Sequence, residues 1–474
     1  MGARAKPCKM VKHRSTTSNL SENHFMKTVY STHAFIEGLA ARQAATALLA
    51  AVVDNRLGLD GLLESDTSPA AWRGLENSRD RALALAIVKS ALRFRGTISA
   101  LIFSLLEHPL PENARNVRHI LHVAIAQIML LRVPESAAVN LAVEAAQRDP
   151  QAKRYANLVN ALLRRLLREG DAAFEAAKSK SVEAPDWLFS MLVEDYGDFS
   201  ACEILAANRS EAPLDFTVKE DVAYWAAKLG GIALNETTVR VAHGQTPVPD
   251  LEGFEQGAWW VQDAAAALPV KLFGDVKGQR ILDMCAAPGG KTAQLSNSGA
   301  LVTALDVSKN RLKRVSENMA RLKLDAEIIV GDARKHVPEL LYNGVLIDAP
   351  CTSTGTMRRH PDVAWTKTPD DVVQLARIQF ELLDAAVRVV KPGGLIIYAN
   401  CSLLKAEGEL LLKRWLSGRQ DIAIEAVTQE RDGALAAFAD SDGFLRTSAL
   451  SFTHENAGLS GMDGFFAARL RKIA

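Results

Sequence analysis

Two apolar runs in the second half of the chain lead into a cysteine. Cys351 closes "VLIDAPC" and Cys401 closes "GLIIYANC", and Asp348 stands just before the first of them. A thiol becomes a nucleophile when it is ionised, and a nearby carboxylate can orient a substrate or stabilise developing charge. These three residues are therefore candidates for covalent catalysis.

A glycine-rich stretch, "DMCAAPGGKT", lies ahead of both cysteines. Gly289 and Gly290 allow a tight turn and a close backbone approach before a helix whose first amides can meet a ligand. Later apolar runs end at Asp306 and Asp332. In an open α/β sheet, ligands bind beyond the carboxyl ends of the strands, and an acid after the second strand can take ribose hydroxyls. The pattern predicts one rim on which these acids and the thiols converge.

A nucleotide-phosphate loop is the rival interpretation of this stretch. The template G-x-x-x-x-G-K-[ST] requires glycine where this chain has Cys285. Pro288 also lacks one of the backbone N–H groups that would bind phosphate. The sequence therefore disfavours a nucleoside triphosphatase.

These residue types also have purely structural interpretations. A lone cysteine in an apolar segment is usually a buried hydrophobe, which is our expectation for Cys8 and Cys202. An acid at a strand end often caps the helix that follows. Three cysteines at the carboxyl edge of one sheet are harder to explain as core filling.

The elements that must position the site begin near residue 269. Over 269–474, short β-branched runs alternate with helical segments, which predicts a parallel, doubly wound α/β sheet. Over 34–170, apolar residues recur at helical spacing, and Gly170 follows the last helix, so we expect an all-α domain.

Between these two domains, the stretch 171–268 predicts a linker and a small α+β domain. Residues 171–183 are polar and Ala-rich and indicate the linker, while 184–268 combines a helix with the strand-like pieces "LDFTVK" and "AWWVQD". Trp259 and Trp260 in the second piece could stack on nucleic-acid bases, but packing in a core is favoured.

The first 33 residues are basic and rich in Ser and Thr. They contain no apolar core of a secretory signal, so we expect a flexible basic tail over 1–33. An organellar transit peptide has the same composition and is the alternative.

The composition is that of an ordinary globular chain, with 474 residues, 48% hydrophobic and 23% charged residues, and a net charge of +1. No apolar run approaches the ~18 residues of a membrane helix. The near-zero charge gives no general argument for a nucleic-acid partner. Five cysteines, without a C-x-x-C pair or zinc-ligand spacing, favour a reducing cytosol and no structural metal.

Four stretches together resemble a known family. "DMCAAPGGKT", "DAPCTSTGTMRRHPD", "VKPGGLIIYANCS" and "GMDGFFAARL" are similar, in this order, to motifs of the RNA cytosine-5 methyltransferases that use S-adenosylmethionine. The helical front, with "DRALALAIVKSALR", "VPESAAVNLAVEAA" and "YANLVNALLRR", resembles the NusB-like domain of the bacterial 16S ribosomal RNA branch, the RsmB type. The resemblance covers roughly 34–474 and implies a NusB-like RNA-binding domain followed, after the middle region, by a Rossmann-like methyltransferase domain.

The resemblance also implies a role for each site residue. Cys401 would add to carbon 6 of a cytosine, which makes carbon 5 nucleophilic, and Cys351 would help to release the covalent intermediate. Asp348 would hydrogen-bond the cytosine ring. Asp306 would hold the ribose hydroxyls of S-adenosylmethionine and Asp332 its adenine. The remaining cofactor contacts would come from Asp348 and from the cofactor loop, which consists of Cys285, Ala286, Ala287, Pro288, Gly289, Gly290 and Lys291.

Two groups of basic residues are candidates for RNA contacts. Arg358, Arg359 and His360 follow the reactive loop and are predicted to contact phosphates beside a flipped base, with a solvated turn as the alternative. A second cluster in the helical domain forms either an RNA-binding surface or a solvated helix face; its members are Lys153, Arg154, Arg164, Arg165 and Arg168.

The chain departs from the family pattern at two places. Asn400 stands where the family usually has threonine, and we expect activity to survive because the side chain stays polar. The Arg-Val-Asn segment that commonly precedes the methyltransferase domain is not recognisable in "LDFTVKED". This departure puts in doubt the RNA contacts of the middle region.

The predicted function is methylation of carbon 5 of a cytosine in 16S ribosomal RNA, before assembly, by a cytoplasmic monomer with no membrane association. The first alternative is the same chemistry on transfer RNA. The second is a non-catalytic RNA-binding or assembly factor, which the sequence disfavours because Cys351, Cys401 and Asp348 are all retained.

Overall fold

Amphipathic helices form the front of the chain and bury their apolar faces against one another. The computed structural model describes residues 36–244 and 246–473. On the last of these helices Val159, Leu163 and Leu166 are fully buried. The prediction of an all-α domain is confirmed, with helices α1 Leu39–Asn55, α2 Leu59–Glu64, α3 Ala70–Arg73, α4 Ser78–Arg93, α5 Arg95–Leu105, α6 Arg115–Ile125, α7 Glu135–Arg148 and α8 Ala156–Lys178.

Helix α8 is interrupted at the glycine that the sequence predicts to follow it, and a second helical segment comes directly after. Gly170 adopts the non-helical angles φ 64° and ψ −154°, which separate the two segments. Phe174 and Ala177 are buried after the kink, and the Phe174 ring centroid lies 6.1 Å from that of Phe94. The prediction of a linker over 171–183 is therefore wrong for 171–178, because apolar burial holds those residues in a helical segment of their own.

The middle of the chain forms two helices and then a small antiparallel sheet, as the α+β pattern predicts. Trp259 is 0% and Trp260 is 2% exposed, so both indoles are core residues as expected. The strands pair in the order β2-β3-β1-β4. The elements are α9 Asp186–Tyr196, α10 Asp198–Ala207, β1 Leu214–Val218, α11 Val222–Leu229, β2 Ile232–Ala233, β3 Thr238–Val241 and β4 Trp259–Val261.

The rest of the chain alternates strands and helices around one large sheet. Apolar strands are buried on both faces, which is typical of a sheet covered by helices. The elements are α12 Ala264–Lys271, β5 Arg280–Met284, α13 Gly290–Asn297, β6 Leu301–Asp306, α14 Lys309–Leu322, β7 Glu327–Val330, β8 Tyr342–Asp348, α15 Val363–Thr366, α16 Pro369–Val389, β9 Val390–Asn400, α17 Glu409–Leu416, β10 Ile422–Ile424, α18 Gln429–Asp432, β11 Leu445–Thr447 and β12 Phe465–Lys472.

This sheet is mixed, whereas the sequence predicts a wholly parallel one. Its strand order is β10-β12-β9-β8-β5-β6-β7, and the five strands from β9 to β7 are parallel, as predicted. Strand β12 pairs with the β9 edge in antiparallel orientation, and β10 pairs antiparallel with β12. The C-terminal strand thereby pairs the backbone groups of an edge that would otherwise be open.

The parallel strands bring the predicted site residues to one edge. Strands β6 and β8 end at Asp306 and Asp348, and β9 ends at Asn400, directly before Cys401. The predicted tail 1–33, with Cys8, lies outside the described residues. Across the described part of the chain, no helix is both long enough and apolar enough to cross a membrane.

Candidate active site

The two cysteines that follow β8 and β9 meet at the carboxyl edge of the sheet. These strands are parallel neighbours, and Asp348 pairs in register with Ala399. Just beyond this pairing, the Sγ atoms of Cys351 and Cys401 lie 3.5 Å apart. The structure thus brings together two thiols that are fifty residues apart in the chain.

The hydrogen bond between the two thiols makes them chemically different. It lowers the pKa of Cys401 and outweighs the burial that opposes ionisation. The same bond, together with burial, raises the pKa of Cys351 well above its ordinary value. Either thiol can donate across this contact. Donation from Cys351 stabilises the Cys401 thiolate, which makes Cys401 the candidate nucleophile of the pair.

Asp348 lies beside the thiols and is held by a buried lysine. The Nζ of Lys291 donates to Asp348 Oδ2 over 2.7 Å, and Lys291 is 8% exposed. The same ammonium lies 4.8 Å from the centroid of the Phe465 ring on β12. The two charges act on the pKa of Cys401 in opposite directions, because the Asp348 carboxylate raises it and the Lys291 ammonium lowers it to a smaller extent. The predicted cofactor loop is thereby linked directly to the predicted catalytic carboxylate.

The turn from β5 to α13 forms the rest of this rim. Gly289 has φ 102°, and a Cβ at this position would come within 3.0 Å of Val315, so the turn requires glycine. Asp306 accepts a hydrogen bond from the Ala287 amide at 3.2 Å and from the Ser308 amide at 2.9 Å. The acid at the end of β6 therefore holds the loop close to itself.

Cys285 belongs to this loop, where its surroundings disfavour the thiolate. Burial, with the nearby Asp306 charge, raises its pKa to about 12. A thiol in this environment does not ionise near neutral pH. Its placement agrees with the expectation that it is a loop residue rather than a nucleophile.

The donor and acceptor set of this rim fits S-adenosylmethionine. The cofactor carries a positive sulfonium, an ammonium group and two ribose hydroxyls, which suit carboxylate acceptors. Asp306 and Asp348 provide such acceptors on either side of the glycine turn, and each carboxylate has about four lone-pair sites for additional donors. The backbone of the turn can approach a ligand closely because Gly289 and Gly290 carry no side chain.

Asp332 is farther from the strand end than the sequence predicts. Strand β7 ends at Val330, and the Asp332 carboxylate caps the turn that follows by accepting from the Arg334 amide at 3.0 Å. The Arg334 guanidinium also donates to both Asp332 oxygens. The helix-capping interpretation is thus confirmed for this acid, while its contact with adenine stays a prediction.

Arg358 and Arg359 make internal contacts where the sequence predicts phosphate contacts. Arg358 is 4% exposed and donates to the Ser460 and Glu211 carbonyl oxygens. Arg359 forms ion pairs with Asp263 at 2.5 Å and Asp463 at 3.0 Å. Both side chains connect the reactive loop to the middle domain and to the segment just before β12, so a phosphate could bind them only by replacing these bonds.

His360 keeps part of its surface free. Its side chain is 44% exposed, and its Nδ1 lies 3.2 Å from the Asp60 carboxylate of α2. This hydrogen bond raises the pKa of His360. A phosphate contact at His360 stays a prediction that the placement of the ring permits.

Two other predictions concern the helical part of the chain. Cys202 is exposed, so the expectation that it is buried is wrong; it lies on the solvent side of α10. The basic cluster on and before α8 is largely exposed, with Arg165 paired to Glu169 at 2.7 Å. Its role in RNA binding stays a prediction.

Several polar residues around the cysteines were not identified from the sequence. Thr352 and Ser402 directly follow the two cysteines, and their hydroxyls lie 3.1 Å apart in the core. Gln379 and Glu407 are both 0% exposed. The available signal was a polar residue at a core position of an amphipathic helix, which Gln379 is on α16.

Two family models match separate parts of this chain. The family model described as 16S rRNA methyltransferase RsmB/F matches residues 271–471, and the NusB family model matches residues 39–168. The ribosomal RNA small subunit methyltransferase B of Vibrio cholerae serotype O1 is 36% identical over 400 residues, which cover 80% of this chain and 90% of the relative.

Solved structures support the fold. The crystal structure of PH0851 matches with a TM-score of 0.68 at 22% identity and covers 93% of this chain and 100% of its own. The structure of NSun6 from Pyrococcus horikoshii with SFG matches with a TM-score of 0.52 at 19% identity, over 61% of this chain and 98% of its own. The match to PH0851 includes both the N-terminal helical domain and the C-terminal α/β domain.

Proposed function

Because the chain belongs to the RsmB/F family of S-adenosylmethionine-dependent 16S ribosomal RNA methyltransferases, we propose that it methylates carbon 5 of a cytosine in 16S ribosomal RNA. The observation that supports this reaction best is the pair of thiols whose Sγ atoms lie 3.5 Å apart at the carboxyl edge of the sheet. Carbon 5 of cytosine is a weak nucleophile, and addition of a thiolate at carbon 6 converts the ring to an enamine. A thiol held ready to ionise is what this step requires.

Cys401 performs the addition in this proposal. Its lowered pKa favours the thiolate, and its position at the end of β9 leaves it half-buried at the rim. Asp348 receives the ring of the cytosine through a hydrogen bond at nitrogen 3 or the exocyclic amine and stabilises the charge that develops on addition. Lys291 fixes the Asp348 carboxylate in place for that contact.

Cys351 acts at the release step. After methylation, the proton on carbon 5 is lost to a base and the bond between Cys401 and carbon 6 breaks, which returns Cys401 as a thiolate. Cys351 lies within 3.5 Å of the sulfur that must leave, so it can assist through acid or base chemistry at its own sulfur.

When bound, S-adenosylmethionine supplies the electrophilic methyl group. The residues that would hold it are the turn from Cys285 to Lys291, with Asp306 at the ribose and Asp332 toward the adenine. Burial of Asp306 at 3% exposure and its hydrogen bond to the loop keep its carboxylate oriented.

The need to reach the target base indicates whether the RNA is methylated before or after ribosome assembly. A cytosine must leave its stack to reach two thiols at a sheet edge, which favours RNA that is not yet packed into a ribosomal subunit. We further propose that the protein acts as a monomer in the cytoplasm.

The experiment that tests this proposal is bisulfite mapping of ribosomal and transfer RNA. The RNA is taken from a strain that lacks the gene and from the same strain after the gene is restored. The proposal predicts loss of one protected cytosine in 16S ribosomal RNA and its return on complementation. Loss of a protected cytosine in transfer RNA instead would establish the first alternative. Unchanged RNA would favour a binding or assembly factor.

A further inference from the structure

A fully buried carboxylate lies under the reactive loop. Glu407 is 0% exposed, in a short turn between β9 and α17. Its Oε1 accepts from the Thr352 amide at 3.0 Å and from Gln379 Nε2 at 3.0 Å, and its Oε2 accepts from the Thr352 hydroxyl at 2.5 Å. All three donors are neutral.

Gln379 extends this contact to the other side of Cys351. Its Nε2 also donates to the Pro350 carbonyl oxygen at 2.9 Å. Pro350 and Thr352 are the chain neighbours of Cys351. The Glu407 and Gln379 side chains therefore hold the main chain on both sides of this thiol.

The backbone of Glu407 is bonded to the strand that carries the other thiol. Its carbonyl oxygen accepts from Tyr398 Oη at 2.7 Å and from Asn400 Nδ2 at 2.8 Å. Asn400 directly precedes Cys401. One residue thus connects the segment that carries Cys351 to the segment that carries Cys401.

Stability alone does not explain a carboxylate at this position. Burying a carboxylate among neutral partners costs free energy that an apolar side chain would not. Within the described residues, no ion pair includes Glu407 to offset that cost. Such an arrangement instead suits a side chain that holds a functional loop in one position.

We propose that Glu407, acting with Gln379, is a positioning residue that holds the Cys351 thiol at hydrogen-bonding distance from the Cys401 thiol. This inference rests on the proposed cytosine-5 chemistry and extends it to the release step. The side chain of Glu407 touches only the Cys351 side, since its link to Asn400 runs through the backbone oxygen. Loss of the side chain therefore slows release more than addition, and the covalent protein–RNA adduct accumulates.

The test compares Glu407→Met, which has similar length and no carboxylate, with Glu407→Gln, which keeps one acceptor oxygen. Each full-length variant is incubated with S-adenosylmethionine and a 16S ribosomal RNA transcript, and the covalent fraction is measured on a denaturing gel beside 5-methylcytidine formation. Glu407→Met should lower turnover about 10- to 100-fold, as expected for a misplaced reactive group, and raise the adduct fraction. Glu407→Gln should recover most of the turnover.

Glu409→Gln is the matched control. Glu409 is also buried, at 6% exposure, but its oxygens bind Arg446 and not the reactive loop. The Glu409→Gln variant should not accumulate the covalent protein–RNA adduct. Lost turnover in Glu407→Met without added adduct, or native turnover, would overturn the inference.

Gln379→Met provides a second route if Glu407→Met does not fold. It removes the donor to Pro350 and to Glu407 together, so it too must accumulate adduct, and its failure to do so would also overturn the inference. If the native protein forms no 5-methylcytidine, the proposed function fails instead. The two failures are therefore distinguishable.

Discussion

Replacing Cys351 with alanine should make the neighbouring thiol harder to ionise. In the native protein the Sγ atoms of Cys351 and Cys401 lie 3.5 Å apart, and a hydrogen bond donated by the Cys351 thiol lowers the pKa of Cys401. Alanine has no donor, and burial, which raises the pKa of Cys401, then acts without that opposing bond. The pKa of Cys401 should therefore rise in Cys351→Ala.

The size of the effect follows from the strength of this hydrogen bond. A thiol is a weak donor, but its acceptor here is a thiolate, so about 1 to 1.5 kcal/mol of stabilisation is lost. Since 1.4 kcal/mol corresponds to a factor of ten, the thiolate population below the pKa should fall about five- to tenfold.

Alkylation of Cys401 by iodoacetamide measures this population, because the thiolate is the reacting form. The rate is followed by mass spectrometry of the peptide that carries Cys401, across a series of pH values, in the native protein and in Cys351→Ala. We expect the rising limb of the rate to move to higher pH in the variant. Superimposable pH profiles would refute the argument that the thiol pair activates Cys401.

Three more predictions concern acids that the fold buries. Asp215→Ala leaves the fully buried Arg240 without the carboxylate that it meets at 2.7 Å, so urea denaturation should show a loss of about 3 to 5 kcal/mol; a loss below ~1 kcal/mol would contradict the burial argument. Burial raises the pKa of Asp283 to about 7, so the folded state binds this proton more tightly than the unfolded state does, and stability falls as pH rises from about 4 through 7. Asp283→Asn should flatten that part of the pH profile of the unfolding free energy, and an unchanged slope would refute the assignment. Asp306→Asn removes a charged acceptor and should weaken binding of S-adenosylhomocysteine about ten- to hundredfold by calorimetry, whereas unchanged affinity would exclude Asp306 from the cofactor site.

Local sequence patterns predicted the parallel centre of the sheet and the convergence of its strand ends. The alternation of β-branched runs with helices places Asp306, Asp348 and Cys401 at one edge, because parallel strands share the position of their carboxyl ends. The same reasoning did not predict that β12 pairs with β9 in antiparallel orientation. The direction of an edge strand depends on how the chain returns to the sheet, which periodicity does not encode.

Contacts between segments that are distant in the chain account for most of the other differences between the predicted and the observed structure. Arg359 pairs with Asp263 and Asp463, and Glu407 bonds to Thr352. Each partner was an ordinary polar residue within its own segment, and only the fold brings the partners together. Gly170 interrupts the helix as predicted, but the sequence did not show that a second helical segment follows, because the burial of Phe174 beside Phe94 depends on the fold.

The most direct test of the proposed chemistry is to find which cysteine traps RNA. Purified Cys351→Ala and Cys401→Ala are each incubated with S-adenosylmethionine and a 16S ribosomal RNA transcript, and the products are separated by denaturing electrophoresis. We expect Cys351→Ala to form an adduct that survives denaturation, because addition proceeds and release does not, while Cys401→Ala forms neither adduct nor 5-methylcytidine. An adduct that appears with Cys401→Ala instead would contradict the assignment of Cys401 as the nucleophile.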